Sequence, residues 1–177
     1  MPRHAAILAA AILACPMAAL AAEKPVPDGL VCPTEAAGAE LISTALASTE
    51  PGVTGLCVFY IYDEANPDRS VTMTLRIGNA DYDPEKSFKA PKIDLGGMTL
   101  VEEATRPIAF AGRTAPATII VLSGKEADLG AITEVFDTLT VFHLEGGRTL
   151  SLEEEYTNLS ADMRGPLRDA LLAAQKG

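Results

Sequence analysis

The chain has no tryptophan, and aromatic residues make up only 5% of its 177 residues. With no run that interleaves aromatic and basic side chains, it lacks both the stacking surface and the charge of a nucleic-acid binder. Positive charge is scarce: 14 Lys and Arg stand against 24 Asp and Glu, a net charge of −10. That balance opposes binding to phosphate backbones and to anionic membrane surfaces. Only two histidines occur, His4 and His143. The first lies in a segment expected to be removed, so a multi-histidine zinc site is excluded. There is no G-x-S-x-G and no S-x-x-K. Gly124-Lys125 lacks both the upstream glycine and the following Ser or Thr of a phosphate-binding loop. No cofactor is called for by any motif.

Long apolar runs are also missing, with one exception at the start. Arg3 is followed by an apolar stretch, Ala5 to Ala14, too short for the roughly 20 residues that span a bilayer. Pro16 breaks it shortly before Ala19-Leu20-Ala21, an A-x-A site. This layout predicts a cleavable signal over residues 1–21 and export, in the bacterial style to the periplasm. A minority reading takes Ile12-Leu13-Ala14-Cys15 as a lipidation box that anchors the protein through Cys15. Leu13, where a small residue is usual, and Pro16 after the cysteine count against it. Removing residues 1–21 takes away only Arg3 among the charged residues and leaves a net −11.

Of three cysteines, either processing route leaves Cys32 and Cys57. In an oxidising compartment, an isolated pair without C-x-x-C spacing predicts a structural disulfide.

Residues 22–33 carry prolines at 25, 27 and 33 and read as an extended lead-in to one domain over 34–177. Thr34 suits a helix N-cap, and Leu41, Ile42, Ala45 and Leu46 form an apolar stripe, which predicts an N-terminal helix. From Thr54 the period becomes that of strands. "GLCVFYIYD" is apolar on both parities, and "VTMTLRI" sets Val71, Met73, Leu75 and Ile77 against Thr72, Thr74 and Arg76. The two form a hairpin around Asp63–Ser70. Residues 79–92 read as a long loop, "IDLGGMTLV" as short strands about a Gly-Gly turn, and "PIAFAGRTAPATIIVL" as two strands. Gly146-Gly147 suggests a two-residue turn that pairs His143 with Leu150 and packs the histidine beside leucines at the sheet margin. Pro166 suits the first turn of a final helix carrying Leu167, Ala170, Leu171 and Ala174. The fold expected is α+β: a single antiparallel sheet of hairpins covered by N-terminal and C-terminal helices. A small β-barrel or sandwich with a terminal helix is the alternative.

The candidate ligand surface is the polar side of the strand at 71–77, Thr72, Thr74 and Arg76, next to the 79–92 loop. Oxygen side chains at alternating positions, Asp81, Asp83 and Glu85, could serve a cation, although lysines occupy the EF-hand positions for glycine and the last glutamate. Glu153, Glu154 and Glu155 read as a solvated strand edge. The missing catalytic sets favour a secreted envelope protein that binds a small molecule or an envelope partner without turning it over. The rivals are a carboxylate hydrolase or cation binder using Asp81, Asp83 or Glu85, and a lipid-anchored structural protein.

Overall fold

The computed structural model describes residues 29–46, 48–66, 69–128 and 131–176. The expected signal, the Cys15 box and most of the lead-in lie outside these residues. Eight strands run in chain order: β1 Glu35–Ala36, β2 Ala39–Ala45, β3 Val53–Tyr62, β4 Ser70–Gly78, β5 Thr99–Phe110, β6 Arg113–Asp128, β7 Ala131–His143 and β8 Thr149–Thr157. They form one antiparallel sheet in the order β1-β2-β3-β4-β8-β7-β6-β5. The described residues also hold two α-helices, α1 Pro84–Ala90 and α2 Ala161–Ala174, with a π-helical turn at Pro91–Leu95 directly after α1.

This corrects the α+β expectation. The protein is mostly β, close in class to the all-β alternative, with one open sheet and two short helices. The N-terminal helix does not form. Its residues turn at Ala37 and Gly38, both at positive φ, and run back as β2 along β3. Leu41 faces Phe59 across that pair, and Cys57 on β3 is bridged to Cys32. An alanine-rich stripe has helical propensity, but pairing with an already apolar strand overrides a preference worth tenths of a kcal/mol per residue. The Cys32–Cys57 bridge closes a separation of 25 residues, which restricts the unfolded chain by about 3.5 kcal/mol in the chain-entropy treatment.

The stretch expected to be a loop at 79–92 is largely helical. Asp83 caps α1, its side chain accepting from the Lys86 N–H, and Pro84 takes the first turn, where its missing N–H costs nothing. No strand forms at 93–95, which belong to the π turn. α2 begins at Ala161, so Pro166 lies inside it and not in its first turn. The last hairpin closes through five residues, 144–148, with a 3-10 turn at Glu145–Gly147, and His143 pairs with Thr149. This is one residue away from the two-residue turn expected. Because strand side chains alternate faces, the slip moves every residue of β8 to the opposite side relative to β7.

Flat, eight strands at their usual spacing would span roughly 34 Å, whereas a 14-residue helix is about 21 Å long. Yet α2 touches both edge strands, β1 and β5, as well as β4 and β8 in the middle. The sheet therefore curls round the helix. The Leu172 carbonyl accepts from the Ala111 N–H in the β5–β6 turn. Three residues on, the Gln175 side chain clasps both backbone groups of Val31. Leu167, Leu171 and Leu172 fill the concave face with Phe59, Met73, Leu75, Leu150 and Leu152. The opposite face holds a smaller core in which Phe88 of α1 meets Ile120, Leu122, Leu139 and Val141.

The β5 edge is protected. Pro107 pairs with Pro116, and since neither has an N–H, this must be a non-hydrogen-bonded pair. Alternation then turns the backbone at Pro107 outward, where a missing donor discourages a further strand.

Glu154 points into the concave core and is fully buried, tied to Arg164 of α2, whose guanidinium also donates to the Tyr156 hydroxyl at 3.0 Å. One oxygen, Glu154 Oε1, has no hydrogen-bond partner among the described residues, and burial pushes its carboxyl above the ordinary range despite Arg164. Removing Arg164 alone strands a buried charge, so Arg164→Leu should cost about 3–5 kcal/mol, while the double change with Glu154→Leu should restore or exceed wild-type stability. Urea unfolding of the three proteins checks this; a double variant no better than the single one would refute it.

Candidate functional site

On the convex face, alternation along β4, β8 and β7 lines up three rows. Arg76 stands opposite Ser151, Thr74 opposite Glu153, and Thr72 opposite Glu155, which in turn faces Asp137. Over these rows the α1–π segment lays Phe88 and Lys92. The Lys92 ammonium lies 2.5 Å from Asp137, 2.9 Å from Glu153 and 3.4 Å from Glu155, and 5.2 Å from the Phe88 ring centre. Arg76 donates to Glu153 at 2.6 Å and lies 3.4 Å from Glu50. Glu153 thus sits between two cations.

Tyr82 closes one end. Its hydroxyl is 2.6 Å from Ser151 Oγ, and its ring lies on Gly78, where a Cβ would come within 2.5 Å of the tyrosine Cβ. Only glycine leaves room for that approach. Between the segment and the sheet is a cavity of about 280 Å³ bordered by Glu50, Arg76, Tyr82, Phe88, Lys92 and Glu153. Past Lys92, a wider trough of about 610 Å³ runs over Ser70, Thr72, Lys125, Val135, Asp137 and Glu155.

The electrostatics follow from partial burial and pairing. Burial alone would raise the Glu153 carboxyl, but Arg76 and Lys92 outweigh it and hold it below 4.5. Burial acts to lower Lys92 and Arg76, and their carboxylate partners overcome it and raise both. Tyr82 is pushed up to about 12, chiefly by burial. Asp137 and Glu155 move the other way from Glu153: burial raises both, and Lys92 offsets it only in part.

Of the expected ligand residues, Arg76 borders the cavity, Thr72 lines the trough, and Thr74 lies between them in register with Glu153. The expected cation residues do not converge as a set of three. Asp83 is occupied as the α1 cap, Glu85 lies in the first helical turn, and the Asp81 N–H donates to Asn79 in an exposed turn. Among the described residues, no group of three or more His, Cys, Asp or Glu side chains could hold a metal ion. His143 is exposed and not packed. It borders a depression shared with Tyr82, Asp83, Glu85 and Arg148.

Sequence reasoning missed Lys92, Asp137, Glu50 and Tyr82, and misplaced the glutamate run. β8 is a central strand, so Glu153–Glu155 is no solvated edge. A signal was present: glutamates at 153 and 155 share one face of a strand, and a face that is half buried must recruit cations.

No family model matches the chain, and no curated protein matches it. A solved structure with some likeness is that of LpqN, involved in cell envelope biogenesis of Mycobacterium tuberculosis. It is 19% identical, with 86% of this chain and 80% of that chain covered and a TM-score of 0.36. A likeness this loose supports no inference about the chain.

Because the folded Glu153 pKa is lowered, its contribution to stability is fully present above the unfolded value of 4.5 and is lost as pH falls through the lower folded value. The melting temperature of Glu153→Gln should therefore lie well below wild type at pH 7, with the gap closing below pH 4. A gap that does not change with pH would contradict the pairing described.

Proposed function

We propose that this is an exported protein of the bacterial cell envelope, in the periplasm, that binds a small solute or an envelope partner without chemically changing it. One observation carries the non-catalytic part. Every titratable group whose shift is resolved at the cavity between the α1–π segment and the sheet is driven away from neutrality: Lys92, Arg76 and Tyr82 upward, Glu153 downward. General acid–base catalysis needs a group poised near working pH. Groups fixed in one charge state instead present a constant pattern of donors and acceptors to a ligand.

Export is supported by the signal-like layout of residues 1–21 and by the Cys32–Cys57 bridge, which suits an oxidising compartment. No helix among the described residues is long and apolar enough to cross a membrane. Ligand contact at the cavity and trough is supported by the way Arg76, Thr72 and Lys92 line adjoining hollows on one face. A Cys15 anchor is the minority form of the same reading.

Native mass spectrometry of the protein isolated from the envelope of the cells that make it tests this reading. The expected species starts at residue 22, gains two mass units on reduction and retains a non-covalent partner that Arg76→Met releases. A species retaining residues 1–21, or free thiols at Cys32 and Cys57, would overturn export through an oxidising compartment.

A further inference from the structure

We infer that the trough on the convex face is a saccharide site that takes a neutral, polyhydroxylated ring. This rests on the binding reading above and names its ligand class. The lining excludes other classes. Its four charged side chains are Lys92 and Lys125 against Asp137 and Glu155, which cancel, so the trough offers no net attraction to a polyamine or a polyanion. Pro91, Met98 and Val135 give the trough apolar ground as well, but Ser70 and Thr72 line it beside those charges, and covering the polar groups with hydrocarbon alone would strand them. A sugar ring offers hydroxyls that both donate and accept. It can bond to carboxylate, ammonium and hydroxyl groups side by side, and carboxylate and ammonium partners make the stronger, charge-assisted bonds.

The strand register supplies the remaining element. Tyr60 is opposite Thr72 and Tyr62 opposite Ser70, so both stand on the convex face one strand beyond the trough's own Thr72 and Ser70. Tyr62 is 50% exposed, and the two rings stack with centroids 6.1 Å apart. A rigid ring held by its neighbour presents an apolar surface to the C–H side of a sugar and a polar hydroxyl at its tip, at small entropic cost. The volume of about 610 Å³ falls within the range of small-molecule sites.

The test uses the oxidised protein lacking residues 1–21 and three neutral trisaccharides, maltotriose, cellotriose and chitotriose, with spermidine and citrate as charged probes. Two-dimensional amide NMR spectra are recorded through millimolar titrations. At least one trisaccharide should give saturable shifts centred on residues 70–72, 135–137 and 155–157, with neither charged probe doing so. Tyr62→Ala and Glu155→Gln, both at exposed positions, should each weaken that binding about tenfold while leaving the rest of the spectrum unchanged. Shifts at these residues from spermidine or citrate, with the sugars silent, would overturn the saccharide assignment and leave the binding reading intact. Silence from all five probes would overturn the assignment, and a partner still retained from the native envelope would show that the binding reading stands without it.

Discussion

Three consecutive glutamates sit in a central strand, and most of the architecture answers to that constraint. A central strand cannot leave Glu153 and Glu154 to water, and alternation sends them to opposite faces, with Glu155 more exposed on the same face as Glu153. On the concave side Glu154 demands Arg164, which fixes α2 within the curl of the sheet. On the convex side Glu153 and Glu155 require Arg76 and Lys92, and Lys92 fastens the α1–π segment over β7 and β8. Burying these ions is no efficient route to stability, since desolvation offsets most of the attraction. The ion pairs set where the two helical pieces sit. The apolar contacts of Leu167, Leu171, Leu172 and Phe88 then supply the energy.

The sequence was readable where a pattern is local or is settled by counting. Cys32 and Cys57 were the pair left by either processing route, and the β3–β4 hairpin showed in its alternation. Misreadings arose where a distant partner decides the outcome. Residues 39–45 have a helical stripe, yet an edge on β3 was available and β2 took it. In the last hairpin the two glycines invited a two-residue turn, and the five-residue loop shifted the register by one and turned Glu153 to the convex side. Lys92 was unreadable as a site residue because its three acidic partners come from two strands more than 40 residues away. By contrast, Thr72, Thr74 and Arg76 could be placed on a polar face from period two alone. The capping pattern Asp83-Pro84-Glu85 is legible as a helix start, but Pro84 and Pro91 also read as loop punctuation.

The two ends of the convex face differ in their chemistry. At the Arg76 end each cation has a carboxylate close by, and the charge states are locked. At the Asp137–Glu155 end a single ammonium serves two carboxylates whose burial is incompletely offset.

Lys92 belongs to both ends, since it borders the cavity and the trough alike. A ligand hydroxyl that bonds to Glu155 or Asp137 competes for carboxylate oxygens that now face Lys92. Any lengthening of those contacts leaves the ammonium more dependent on Glu153, and through Glu153 on Arg76 and Glu50. A ligand in the trough would thus be coupled to the charge network of the cavity through one side chain. That side chain also anchors the segment roofing the cavity, so the electrostatics that position the segment are the same ones a ligand would perturb.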